Sequence, residues 1–353
     1  MPPSLEQHVV VLTGASSGIG RAAAVSFGAR GAKVVLAARG RPALDAAARE
    51  VHAAGGTPLV VPTDVAEFEQ VQALARAAVE RFGRIDTWVN GASVSLYGTM
   101  SHLPVPEIAR LVQVNLMGQV HGVKAALPVM RAQGGGTIIA ISSGLGARAV
   151  PLQVPYCASK RAVVGLMEGL RMEERRAGSG VVLTTVLPSS INTPLFDHAP
   201  SVMGVRPAPI PPVYDPAVVA DALVFAATHP RRDIYIGAAA RQLDLLERLS
   251  PALADRVLSL GGQVFRRQQR SERDAGQGNL HRSAVTGQGA VRGQFGRFAL
   301  RRSVYTRTFA RQPTLGPALV LLAAVLAARR LRASGRAPVR SVSQRPLLAG
   351  RRW

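Results

Sequence analysis

Short aliphatic, β-branched runs alternate with longer amphipathic stretches through the first 240 residues. The runs predict strands at His8–Leu12, Lys33–Ala37, Thr57–Val61, Thr87–Val89, Gly136–Ile141, Val181–Val186 and Asp233–Ile236. The stretches between them predict helices near Ile19–Arg30, Pro42–Ala54, Glu67–Phe82, Val105–Gln133, Val154–Ala177 and Pro216–Thr228. Strands that are apolar on both faces must be covered on both faces, and helical crossovers make consecutive strands parallel. The expectation is an α/β protein built on a doubly wound, seven-stranded parallel sheet.

Two segments break the rhythm. The proline-rich stretch 188–216 is too long for an ordinary connection and predicts a lid or a disordered loop. A further helical pattern covers Gln242–Leu260, after which the chain turns rich in Arg, Gly and Gln with no period. Such composition predicts a flexible linker. The expected organisation is one domain over 1–262, a linker over 263–312 and a short apolar helix with basic flanks over 313–353, together a helical and Arg-rich extension.

Charge changes the picture only in that extension. The net charge is +22, yet +17 of it lies beyond Gly262, where 19 arginines face 2 acidic residues. Arg supplies 40 of the 43 basic residues and aromatics are sparse, so no stacking platform for nucleic acid is expected. The single cysteine, Cys157, allows no internal disulfide and no Cys-rich metal site. With no signal-like start, this points to a cytoplasmic protein holding no metal. In the tail, the 14 residues Leu315–Ala328 precede Arg329-Arg330-Leu331-Arg332. They fall short of the roughly 20 needed to span a bilayer. Peripheral membrane contact through anionic lipid and docking on the enzyme or a partner copy both stay open.

The candidate chemistry begins at Thr13-Gly14-Ala15-Ser16-Ser17-Gly18-Ile19-Gly20, between the first strand and first helix. Glycine at 14, 18 and 20 suits a tight turn, close backbone approach to a pyrophosphate and close helix–strand packing. The helix opening at Ile19 aims free N–H groups at that phosphate. The second strand ends at Ala38-Arg39, where an NAD site would place a carboxylate for the ribose 2′-OH. Arg39, with Arg41 nearby, suits the extra 2′-phosphate instead, so NADP(H) is expected over NAD(H).

Further along stand Asp64-Val65, Asn90, Asn115, Ser143 and Tyr156-x-x-x-Lys160. With the glycine turn, these resemble the short-chain dehydrogenase/reductase family over about residues 7–240. The resemblance implies a Rossmann fold and hydride transfer between a nicotinamide and a carbonyl or alcohol carbon. It assigns Tyr156 as general acid/base and Ser143 as the group polarising the C–O bond. Lys160 would also bind the nicotinamide ribose, and Asn115 would hold a water for proton relay. The cofactor set it implies adds Asp64, Val65, Asn90, Ala92, Pro188, Ile191 and Thr193 to Gly14, Ser16, Ser17, Gly18, Ile19, Gly20 and Arg39. The residues also make sense by themselves. Tyr156 and Lys160 at i, i+4 share a helix face, where an ammonium favours the phenolate and lowers its pKa. Two departures are Gly91-Ala92-Ser93 after Asn90, where the family has Asn-Ala-Gly, and Ser189 after Pro188, where it has Gly.

Val94, Leu96 and Tyr97, then Leu145, then Leu195, Phe196 and Met203 are candidate pocket walls. They predict a small hydrophobic carbonyl or alcohol substrate. The alternatives are a 3-oxoacyl reductase acting on a carrier protein and a non-catalytic, membrane-associated nucleotide sensor. The resemblance also implies a homo-oligomer paired through the two long helices.

Overall fold

The computed structural model describes residues 5–259, 263–274, 278–283 and 287–309. The seven expected strands form one sheet: β1 (Val9–Thr13), β2 (Lys33–Ala38), β3 (Thr57–Pro62), β4 (Thr87–Asn90), β5 (Gly136–Ile141), β6 (Val181–Pro188) and β7 (Asp233–Ile236). Their spatial order is β3-β2-β1-β4-β5-β6-β7, all parallel. The protein is a Rossmann-type α/β fold. All five residues of β1 are buried, which is why that run carries no polar alternation. At the edge, β3 holds Pro58 and Pro62 without cost to the ladder, because a proline lacks only the N–H that an outer strand can spare. The order reverses between β1 and β4, and the crevice above their carboxyl ends is where such sheets bind ligands.

Helices α1 (Gly18–Gly28), α2 (Arg41–Ala53) and α3 (Phe68–Phe82) follow the first three strands. The helix expected over Val105–Gln133 is interrupted. It divides into α4 (Val105–Val112), a π-turn at Gln113–Met117 and α5 (Gly118–Ala132). A π-turn inserts one residue and rotates the side chains it carries, a distortion that clusters at functional sites. Here it carries Asn115. The short α6 (Gly144–Ala147) leads to α7 (Val154–Ala177), a single 24-residue helix ending at Gly178, φ +60°. Asp215 caps a largely buried helix, Pro216–Thr228, by accepting from the Ala217 N–H at 2.9 Å.

Beyond the sheet the structure departs from expectation. The proline-rich stretch is ordered: Ser190–Ile191 and Val213–Tyr214 pair with each other, and Leu195–His198 makes one helical turn. The flexible linker expected over 263–312 is also not what its described residues form. Gln269–Arg273 pairs antiparallel with Val205–Pro207, and Ala299–Leu300 lies beside Val213–Tyr214. The Gly237 N–H donates to Thr306 Oγ at 3.0 Å. These contacts run largely through backbone groups, which demand no amphipathic face and leave no hydrophobic period to read. The compact unit accordingly extends over Met1–Arg307, past Gly262, and Thr308–Trp353 forms a second unit. The expected apolar helix over 313–353 lies outside the described residues. Among the described residues, no helix is long and apolar enough to cross a membrane.

Candidate active site

The glycine turn closes on its neighbours as its spacing predicts. A Cβ on Gly20 would sit 2.2 Å from the Gly14 carbonyl oxygen, so only glycine lets α1 meet the end of β1. Gly14 holds φ +77°, and a Cβ there would lie 2.8 Å from the Ala92 nitrogen. Thr13 ties the two loops together, its Oγ accepting from the Gly91 and Ala92 N–H groups at 3.0 and 3.3 Å. Gly91, a departure from the family pattern, is required by that approach: a Cβ on it would meet the Thr13 carbonyl at 2.7 Å. Ser17 starts α1 without capping it by side chain, leaving the first turn's donors to other acceptors. A phosphate cradle needs open N–H groups and no Cβ in the way, and this turn fits one.

At the far edge of the crevice, Arg39 follows β2 and lies near Asp64, which accepts from Arg110 at 2.5 Å and from the Ala66 N–H at 3.0 Å. Asn90 does not join them. Its Oδ1 accepts from the Trp88 indole at 2.8 Å and its Nδ2 donates to the Gln119 carbonyl at 3.3 Å, beneath the sheet edge. Its place in the expected cofactor set is therefore corrected to a buried brace for β4.

Ser143, Tyr156 and Lys160 converge at the carboxyl end of β5. Ser143 caps α6, its Oγ accepting from the Leu145 N–H at 3.1 Å, and its own proton is directed to Tyr156. Tyr156 and Lys160 share one face of α7, with Lys160 Nζ 5.6 Å from the Tyr156 ring centre. Lys160 is buried and donates to the Ile141 carbonyl at 3.0 Å. Asn115 is fully buried beside them. Its Oδ1 accepts from the Val94 N–H at 2.8 Å and from Ser93 Oγ at 3.2 Å, and its Nδ2 donates to the Val94 carbonyl and Ser159 Oγ. The side chain is thus committed to clamping the β4 loop.

The family model described as short chain dehydrogenase matches residues 8–202, more than half of the chain. The protein belongs to this family. It is 36% identical to the uncharacterized oxidoreductase YxnA of Bacillus subtilis over 342 residues, covering 93% of this chain and 92% of that protein. It is 33% identical to the putative oxidoreductase SadH of Mycobacterium tuberculosis over 269 residues, covering 74% of this chain and 98% of that one. Among solved structures, it resembles a short chain dehydrogenase/reductase from Burkholderia phymatum in complex with NAD. The TM-score is 0.64 at 30% identity, covering 72% of this chain and 96% of the other. An alcohol dehydrogenase from Thermococcus sibiricus complexed with 5-hydroxy-NADP matches with TM-score 0.58 at 25% identity, covering 65% and 95%.

In this short-chain dehydrogenase one cavity of about 530 Å³ runs from the glycine turn to Tyr156. Ser16, Ser17, Ile19, Arg39, Asp64, Val65, Ala92, Pro188, Ile191 and Thr193 all line it, as do Val94, Leu145, Leu195 and Phe196. Leu96, expected on the wall, packs instead into the core at 1% exposure. Residues 91–96 form no regular strand, so two-residue alternation does not carry from Val94 to Leu96, and Tyr97 lines the cavity instead. Gln153, His198, Leu243 and Leu246 also line the cavity and were missed. The two leucines sit three apart on the helix Ala238–Leu249, a spacing that could have flagged a shared face.

Electrostatics corrects one further expectation. Burial pushes the Tyr156 phenol well above its ordinary range, only partly offset by a hydrogen bond from Ser143. Burial also pushes Lys160 down to about 7. Desolvation disfavours both charged forms, so the phenol stays protonated at neutral pH and Lys160 gives up its proton far more readily than an exposed lysine.

Proposed function

We propose that the protein is an NADP(H)-preferring carbonyl reductase or alcohol dehydrogenase for a small hydrophobic substrate. The observation that carries the reading is the single cavity joining the glycine turn and Arg39 to Ser143, Tyr156 and Lys160. Bound in it, the nicotinamide cofactor supplies or accepts the hydride. The turn Gly14–Gly20 fits the pyrophosphate, Arg39 the 2′-phosphate, and Pro188, Ile191 and Thr193 the nicotinamide end. The solved relatives named above bind NAD in one case and an NADP derivative in the other, which supports a nicotinamide cofactor and leaves Arg39 to argue for NADP(H).

Ser143 turns its proton from Tyr156 to an arriving substrate oxygen and holds that oxygen beside the phenol. A phenol kept protonated by burial is suited to give its proton to that oxygen as a carbonyl is reduced. Lys160, on the same helix face, replenishes the proton, and Asn115 fixes the loop that floors the site. The aliphatic walls at Val94, Leu145, Leu195, Phe196, Leu243 and Leu246 favour an apolar substrate. The protein acts as a homo-oligomer paired through α4–α5 and α7, a reading supported by the exposure of Val105, Val154 and Met172 on those helices; light scattering on the purified chain tests it.

The decisive test is NADPH consumption against a panel of hydrophobic aldehydes and ketones. Turnover is expected from the wild type, and Tyr156→Phe should lower it by about 10²–10⁴-fold with NADPH affinity unchanged. Tight NADPH binding without turnover on any substrate would instead indicate a nucleotide sensor.

A further inference from the structure

The cations and open N–H groups that suit the cofactor's phosphates are already satisfied by the chain's own carbonyl oxygens. Arg39 Nη1 donates to the Leu280 carbonyl at 2.9 Å, and Nη2 donates to those of Asn279 at 2.5 Å and Arg282 at 3.3 Å. The Gly18 N–H, at the start of α1, donates to the Ala290 carbonyl at 3.0 Å. Arg21, four residues after Ser17, donates to the Gln288 carbonyl. Arg110 adds a bond to the Leu280 carbonyl at 3.1 Å. All these acceptors belong to two stretches, 278–283 and 287–293, which cross the mouth of the cavity as a strap. It is anchored beyond the cavity by His281 on Glu107 and by Arg292 on Asp215.

Either two-pronged edge of a guanidinium uses an Nη2 hydrogen, beside Nε or beside Nη1, and both of those hydrogens of Arg39 are taken. A phosphate gripped by Arg39 through paired hydrogen bonds therefore needs the strap carbonyls to give way. A ribose 2′-hydroxyl makes no such demand. Resting on the reading of Arg39 as the 2′-phosphate receptor, we propose that stretch 278–283 of the strap competes with the 2′-phosphate for Arg39 and thereby sets the balance between NADP(H) and NAD(H). The strap is then a specificity element supplied from outside the sheet. NADP(H) binds at the cost of opening 278–283, and NAD(H) binds with 278–283 largely in place, whereas the Ala290 carbonyl leaves the Gly18 N–H to the pyrophosphate of either cofactor.

The backbone offers a direct lock. Gly40 has φ −88°, which any residue adopts, and a Cβ on it would lie 3.6 Å from the Ser283 Cβ. That is within the roughly 3.5–4.5 Å of a disulfide. The native Cys157 is buried and does not compete. In the full chain carrying Gly40→Cys and Ser283→Cys, calorimetric titration with NADP⁺ and NAD⁺ is run before and after reduction. Oxidation is expected to weaken NADP⁺ at least tenfold and NAD⁺ less than threefold, with reduction restoring both. Unchanged or tighter NADP⁺ binding, or an equal loss for both cofactors, overturns the proposal. Hydrogen exchange on the wild type gives an independent reading. Saturating NADP⁺ should speed exchange in peptides covering 278–283 more than NAD⁺ does, and slower exchange there overturns the proposal. The wild-type ratio of NADP⁺ to NAD⁺ affinity separately tests the preference assigned to Arg39. That preference can fail while the oxidised-to-reduced contrast still stands.

Discussion

At one end of the cavity, Ser143, Tyr156 and Lys160 come from a single stretch of chain on the carboxyl end of β5 and the first turns of α7. At the other end, Arg39 meets carbonyls that are 240 and 241 residues away in sequence. The first group is positioned by regular elements, whose geometry is fixed by local hydrogen bonding and an i, i+4 spacing. The second is positioned by a strap that lacks long elements and holds on through backbone carbonyls, a few ion pairs and one buried leucine, Leu280. On the functions proposed above, the chemistry rests on rigid structure and selection of the cofactor on a segment that can yield. Segments with few buried apolar contacts are those that open most easily.

The contrast can be broken by substitution. Ser143→Ala should cost about 10²–10³-fold in kcat, the usual loss for removing one donor to a developing oxyanion. Exchange rates in the strap peptides should not change. A strap that loosens in that variant would tie the two ends together and end the distinction. Gly14→Ala forces a side chain onto φ +77° and against the Ala92 nitrogen. By the usual scale of overpacking it should lower stability by about 1–3 kcal/mol, read by urea unfolding, and abolish tight binding of both cofactors. Arg39→Asp removes one charge-assisted grip, so NADP⁺ affinity should fall by roughly 10–100-fold, as expected for about 1.5–3 kcal/mol per hydrogen bond to a charged group. NAD⁺ affinity should hold or rise. An unchanged ratio would remove Arg39 from cofactor choice.

A further expected effect is a pH dependence confined to the catalytic end. Lys160 titrates near 7 in the folded chain and near its ordinary value of 10.5 when unfolded. Between these values the unfolded chain binds the extra proton, so this group makes stability rise with pH. Below about 7 both states carry the proton and the dependence vanishes. Replacing Lys160 by Met should flatten the rise in unfolding free energy between pH 7 and 10. An equal slope in both proteins would place the ammonium in a better solvated site than its burial indicates.

How much was legible follows the same division. The seven strands were readable to within two residues because each is a continuous apolar run between turn residues. Tyr156 and Lys160 were readable because a helix converts spacing into adjacency. Asn90 and Leu96 were misplaced because strand and loop exits decide which way a side chain points, and no local pattern encodes that. The π-turn at Gln113–Met117 was invisible for a related reason: the Asn115 it carries is bonded to Val94, a tertiary contact that no local pattern encodes. The strap was read as a flexible linker because backbone-mediated docking leaves no hydrophobic period.

The sequence by itself therefore determined the sheet, the glycine turn, the family and the catalytic helix face, all of which depend on short-range rules of spacing and conformation. Only the tertiary structure decided that one cavity joins these parts. It also placed burial ahead of the neighbouring amine in setting the state of Tyr156, and set the chain's own carbonyls on Arg39. Burial and long-range backbone contacts are properties of the packed chain, and no window of residues carries them.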